Sequence, residues 1–264
     1  MASPFKDNLL EGKVAFIAGG TSGINLGIAK RMAELGAKVA VVGRNPVKAG
    51  NAANEIGYDA LGLSADVRDY GAIRGAMEQT HDKFGPLDIV VSGAAGNFLA
   101  PVLGMSANAF KTVVDIDLLG TFNVFRACHD LLAVPGASLI AITAGQAVNP
   151  MQLQAHACAA KAGINQLVRV LALEWGGDVR VNGISPGPIE GTEGMARLAP
   201  DPATKALHFE RIALKRWGFI DEIAEGAVFL CSDAAKYITG TILDIDGGSQ
   251  LGDATQRNVE RGLA

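Results

Sequence analysis

A doubly wound α/β fold is what this 264-residue sequence predicts, as one domain built on a seven-stranded parallel sheet. Three observations carry that expectation. Short apolar runs recur along the chain. Each is continuously apolar rather than alternating, the mark of parallel strands covered on both faces. The segments between them carry apolar residues at three- and four-residue spacing, as helices packed on a sheet do. Such an alternation implies right-handed crossovers and a Rossmann-type sheet.

Taken in order, the strands read "KVAFIAGG" (13–20), "AKVAVVGR" (37–44), "DALGLSADV" (59–67) and "LDIVVSGAAG" (87–96) in the first half. "ASLIAITAG" (137–145), "DVRVNGISPG" (178–187) and "TILDIDGG" (241–248) complete them. Helical spacing falls at 26–36, 69–84, 108–133, 158–176 and 221–234. The stretch 187–216 breaks this rhythm just after a strand end, and Pro186, Pro188, Pro200 and Pro202 fall in or beside it. An insertion at that edge of a sheet reads as a lid over a ligand.

Composition narrows the function. Hydrophobic residues make up 49% of the chain, enough for a large core, and the 33 glycines suit many tight strand-to-helix turns. A net charge of −4 without a basic block speaks against a nucleic-acid surface. Cys128, Cys158 and Cys231 are odd in number and outside any CxxC pattern, so they read as buried free thiols in a reducing compartment. The start, "MASPFKDNLLEGK", has no basic region followed by an apolar one, and no stretch approaches a membrane span. A soluble, cytoplasmic protein is expected. The four histidines show no metal-ligand spacing, so no metal is expected.

In open α/β sheets ligands sit beyond the carboxyl ends of the strands, where the strand order reverses. The first strand ends in "AGGTSGINLGIA" (18–29). Gly19, Gly20 and Gly23 permit a tight turn and close approach of backbone to a pyrophosphate, and Thr21, Ser22 and Ile24 lie in the same turn. The helix that follows offers unpaired N–H groups and the positive end of its dipole. The second strand ends in Gly43 and Arg44, with Lys48 one helical turn on. A selector for NADH places a carboxylate there, whereas a guanidinium matches the 2′-phosphate of NADPH. Arg44 as a solvated strand-end charge is the competing reading. Asp66, followed by Val67, ends the third strand and either accepts from the adenine amino group or caps a helix.

These residues together resemble the short-chain dehydrogenase/reductase family from about residue 11 to 250. The glycine turn, "AAG" after the fourth strand, Lys161, "SPGPIEGT" (185–192) and "IDGG" (245–248) fall in family order and spacing. Four departures matter. Members of the family usually have a serine after the fifth strand, a tyrosine thirteen residues later and a lysine four beyond it. Here those places hold Ala144, Ala157 and Lys161, and the helix asparagine of the family is Asp117. Asn25 stands where the third glycine of the turn is usual, which bears on how closely the first helix approaches the cofactor. This pattern is similar to the branch of peroxisomal-type 2,4-dienoyl-CoA reductases, as are "AAGNFLAP" (94–101), "SANAFKTVVDIDLLGTFNV" (106–124) and "HACAAKAG" (156–163).

The resemblance implies NADPH-dependent reduction of a 2,4-dienoyl-CoA to a 3-enoyl-CoA in unsaturated fatty-acid oxidation. Ketoreduction must protonate an alkoxide at once, which a tyrosine beside a lysine does. Hydride addition to a conjugated dienoyl thioester instead spreads charge to the thioester oxygen, which needs hydrogen-bond donors before it needs an acid. Lys161 is then implied to hold the nicotinamide ribose and polarise a water in the space left by Ala157, and Asp117 to bind and activate that water. Pro186, Gly187, Ile189 and Thr192 are implied to bind the cofactor as well. Arg68, Asn97, Phe98, Ser106, Asn108 and Arg197 are implied along the acyl and CoA path, with Met195 and Leu198 suiting a fatty chain. A homotetramer is implied as well. His156 points roughly 100° around its helix from Ala157, so packing competes there with an acid role. Two alternatives stay open: another short-chain reductase acting on 3-oxoacyl thioesters or other carbonyls, and a catalytically inactive NADP-binding protein.

Overall fold

Seven parallel strands in the order β3-β2-β1-β4-β5-β6-β7 form the sheet. They are β1 (Val14–Ala18), β2 (Lys38–Gly43), β3 (Leu61–Ser64), β4 (Ile89–Ser92), β5 (Ala137–Ile142), β6 (Val179–Pro186) and β7 (Ile242–Ile245). The structure is a computed structural model describing residues 4–199, 201–252 and 254. Because side chains alternate across a strand, neighbouring residues feed opposite cores. Phe16, Val90 and Leu139 pack on one face against helices α3 (Tyr70–Phe84), α5 (Gly120–Cys128) and α6 (Ala155–Trp175). Ile17, Val91 and Ile140 pack on the other against α1 (Gly23–Glu34), α2 (Pro46–Ile56) and α9 (Ile220–Cys231). Each fully buried aliphatic side chain contributes about 1.5–3 kcal/mol relative to its exposed state. The continuous apolar runs of the sequence are therefore two interleaved half-patterns.

The helical turn expected at Lys48 opens α2, whose buried residues are Ala49, Ala52, Ala53 and Ile56. Alanines give a weak periodic signal. The boundary marks were there, however: the Asn45 side chain accepts from Lys48 N–H, Pro46 sits in the first turn and Gly57 ends the helix. The expected helix over 108–133 is α4 (Ala107–Val114), a π-helical turn (Asp115–Leu119) and α5. In that turn the Gly120 N–H reaches back to the Asp115 carbonyl, one residue farther than in an α-helix. The extra residue rotates the register between the two halves, a device that recurs at functional sites. Asp117 lies within it.

The irregular stretch 187–216 contains two short helices, α7 (Glu193–Leu198) and α8 (Pro202–Arg211). Thr192 and Asp201 cap them, and Pro202 occupies a first-turn position where a missing N–H costs nothing. Met195, Ile212 and Trp217 form a small apolar cluster of their own beside the main cores. Of the three cysteines expected to be buried, Cys128 is, whereas Cys158 and Cys231 are only partly covered as residues. Desolvation pushes the Cys231 thiol up to about 12, so it stays protonated near neutral pH.

Candidate active site

The strand order reverses between β1 and β4, and a crevice of about 380 Å³ opens at their carboxyl ends. Gly19, Thr21, Ser22, Arg44, Lys48, Asp66 and Val67, all expected at a nucleotide, line it together with Asn25, Ala94, Ala95 and Ile116. Gly19 has φ +78°, and a Cβ there would lie 2.6 Å from the Ala94 nitrogen, so only glycine lets the two loops meet. Ser22 is the N-cap of α1 but its side chain makes no capping bond. The hydroxyl and the first-turn N–H groups of Gly23 and Ile24 are thus available to an anion. Arg44 and Lys48 are exposed at the end of β2. A dinucleotide fits this donor set: glycine turn, uncapped helix N-terminus and two cations at the adenosine end.

Asp66 and Arg68 meet at that end. The Arg68 guanidinium donates to both Asp66 oxygens at 2.6–3.1 Å and holds its carboxyl below the ordinary carboxylate range. Both remain partly or fully exposed. Arg68, expected on the CoA path, is therefore tied to the wall that also carries the adenine candidate. Pro186 ends β6 and Gly187 follows it, and Ile189 is buried in a short parallel bridge to Gly218. The Thr192 hydroxyl donates to the Ile189 carbonyl at 2.9 Å and caps α7, so its expected cofactor contact competes with a structural one.

Asp117 and Lys161 come together in the interior. Lys161 Nζ lies 3.3 Å from Asp117 Oδ2 and donates to the Ile142 carbonyl, the last of β5, at 3.1 Å. Asp117 Oδ1 accepts from Gly96 N–H at 2.7 Å. The Asp117 residue is 1% exposed and Lys161 7%. The Thr121 hydroxyl donates to the Asp117 carbonyl at 2.7 Å, satisfying a backbone acceptor in the π turn. A buried charge pair survives only with such company. The sequence reading put a water between the two groups; here they also touch directly. Ala157 is buried one helical turn before Lys161, and Ala144 follows β5, so neither place supplies a proton donor. The Thr143 hydroxyl donates to Asn165 Oδ1 at 2.7 Å.

On the acyl side, Asn97 Nδ2 donates to Gln154 Oε1 at 2.6 Å and Phe98, 39% exposed, meets His156 edge-on with ring centroids 4.3 Å apart. The loop 96–98 thereby links Asp117 to the start of α6. His156 is fully buried and its Nδ1 accepts from the Ala157 N–H at 2.8 Å. Ser106 is occupied as the N-cap of α4, its Oγ accepting from Ala109 N–H, and Asn108 is exposed on that helix. Met195 packs in the small apolar cluster with Ile212 and Trp217. Arg197 and Leu198 belong to α7, with side chains outside the described residues. Gln154, 2% exposed and bonded to Asn97, escaped the sequence reading. Its only signal was nearness to Lys161.

A family model described as "Enoyl-(Acyl carrier protein) reductase" matches residues 18–250. The chain belongs to the short-chain dehydrogenase/reductase family. It is an oxidoreductase, and membership implies a nicotinamide cofactor. A Rattus norvegicus relative, "Peroxisomal 2,4-dienoyl-CoA reductase [(3E)-enoyl-CoA-producing]", is 42% identical over 253 residues, covering 94% of this chain and 87% of the relative. An Arabidopsis thaliana relative of the same name is 41% identical over 265 residues, covering 95% and 89%. A solved Bacillus anthracis short chain dehydrogenase superposes with a TM-score of 0.82 at 36% identity, covering 91% of this chain and 97% of that one. Among the described residues no helix is long and apolar enough to cross a membrane.

Proposed function

We propose that this reductase uses NADPH to convert a 2,4-dienoyl-CoA to a 3-enoyl-CoA, with Asp117 and Lys161 in place of the family's tyrosine acid. The observation that carries the reading is the buried Asp117–Lys161 pair beside alanine at both 144 and 157. Bound NADPH supplies hydride to the far end of the conjugated diene. Lys161 orients the nicotinamide ribose and, as a cation at the head of the site, offsets charge developing on the thioester oxygen. Asp117 has one oxygen on Gly96 N–H and the other near Lys161, and its remaining lone pairs hold a water. That water passes a proton to the α-carbon, and the hydroxide left behind, offset by the Lys161 cation, takes a proton from solvent, so one hydride and one proton are taken up overall. Loss of diene absorbance with NADPH present, and a 3-enoyl product, test the reading; a 3-hydroxyacyl product from a ketoacyl thioester would replace it.

NADPH is the preferred cofactor in this reading because Arg44 and Lys48 stand where a carboxylate would select NADH. Arg44→Ala is expected to erase most of a preference worth about ten- to a hundredfold in affinity, the loss of one charge-assisted contact. Titration of both cofactors checks it, and equal affinities in the unmutated protein would contradict it. The segment 187–216 acts as a lid over the acyl chain. Hydrogen exchange across 190–212 is expected to slow when NADPH and an acyl-CoA are both bound; equal protection with and without them would count against closure. Assembly as a homotetramer belongs to the same reading, supported by exposed Phe122 on α5 and Leu173 on α6. A cytoplasmic setting is supported by three unpaired thiols.

A further inference from the structure

The loops after β1 and β4 face each other at the head of the nucleotide crevice, and one side chain joins them. Asn25, in the first turn of α1, donates from Nδ2 to the Gly93 carbonyl at 2.8 Å and lies 3.4 Å from the Gly19 carbonyl. It is 9% exposed. Room for this amide exists only because residue 93 has no side chain. A Cβ built on Gly93 would lie 2.2 Å from Asn25 Oδ1 and 2.3 Å from Nδ2, far inside van der Waals contact. Gly93 is not among the residues with positive φ, so its backbone admits any side chain and packing alone demands glycine. Its N–H is fixed on the Ala18 carbonyl at 3.0 Å. Three residues on, Gly96 N–H holds Asp117.

We propose that Asn25 and Gly93 form one size-matched clamp that sets the spacing between the cofactor turn and the loop holding Asp117, making Asn25 a positioning residue for the nicotinamide dinucleotide. A side chain at 93 and a side chain at 25 compete for the same volume, so the two positions are coupled. An asparagine at 93 opposite a glycine at 25 refills the space from the strand side. The positioning role rests on the crevice being the dinucleotide site; the size match does not.

The test is a double-mutant cycle with Asn25→Gly, Gly93→Asn and the two combined, read by the melting temperature of the cofactor-free protein and by the Kd for NADPH. Each single change is expected to weaken NADPH binding about tenfold and to lower the melting temperature by a few degrees, and the combined variant to recover most of both. If Gly93→Asn does not fold, Gly93→Ala gives the same contrast: adding Asn25→Gly to it is expected to raise the melting temperature. Unchanged affinity and stability in Asn25→Gly, or losses that simply add, would overturn the clamp. Coupled melting temperatures in a protein that binds no NADPH would overturn the positioning role together with the cofactor reading, while leaving the size match intact.

Discussion

Replacing Asp117 with alanine is expected to lower kcat on a 2,4-dienoyl-CoA by about 10²–10⁴ while NADPH affinity changes little, the usual range for losing a positioned acid or base. Asp117 touches Gly96 N–H and Lys161 Nζ, not the crevice wall that carries Arg44 and Asp66. Its removal also leaves a buried ammonium without its counter-charge, which costs about 3–5 kcal/mol of stability. Asp117→Asn separates the two effects. The amide keeps the size of the side chain and an oxygen for Gly96 N–H, so it is expected to fold better than the alanine variant yet still to lose turnover. Steady-state rates normalised to NADPH-binding sites check this. Near-full activity in Asp117→Ala contradicts the water relay. So does an inactive His156→Ala beside an active Asp117→Ala.

Lys161→Ala is expected to damage two functions at once: kcat falls by about 10² or more, and NADPH binding weakens by about tenfold. The physical reason is the position of Nζ, held between the Ile142 carbonyl at 3.1 Å and Asp117 at 3.3 Å at the carboxyl end of β5. A single cation there serves the ribose and the proton path. The Asp117→Ala/Lys161→Ala variant is expected to lose less stability than the two single changes added together, because each single change leaves an uncompensated buried charge. Thermal unfolding and NADPH titration measure both claims. An alanine variant that loses turnover but binds NADPH as before would remove Lys161 from the ribose.

Most of the sheet was legible because burial on both faces writes continuous apolar runs, and the crevice because β1 ends in closely spaced glycines. The family resemblance was enough to pair Asp117 with Lys161, yet not to show that they touch. That contact depends on the π turn at Asp115–Leu119, one extra residue that no apolar spacing records. Only the first turn of α2, at Lys48, was legible, because alanines fill most of its buried face. Ser106 and Thr192 look the same in sequence whether they cap a helix or meet a ligand; the hydrogen bonds to Ala109 and Ile189 decide where their hydroxyls are already engaged. Asn25 read as an irregularity in a glycine turn, since its counterpart, Gly93, lies 68 residues away.

The most direct measurement of the central claim is NADPH oxidation by the purified protein with hexadienoyl-CoA, with acetoacetyl-CoA and with no acceptor. A site that has exchanged tyrosine for a carboxylate–lysine pair reduces a conjugated diene and lacks the acid that a ketone demands. The account predicts rapid oxidation with hexadienoyl-CoA and little above background in the other two. Faster turnover of acetoacetyl-CoA, or no oxidation with any thioester, would contradict it.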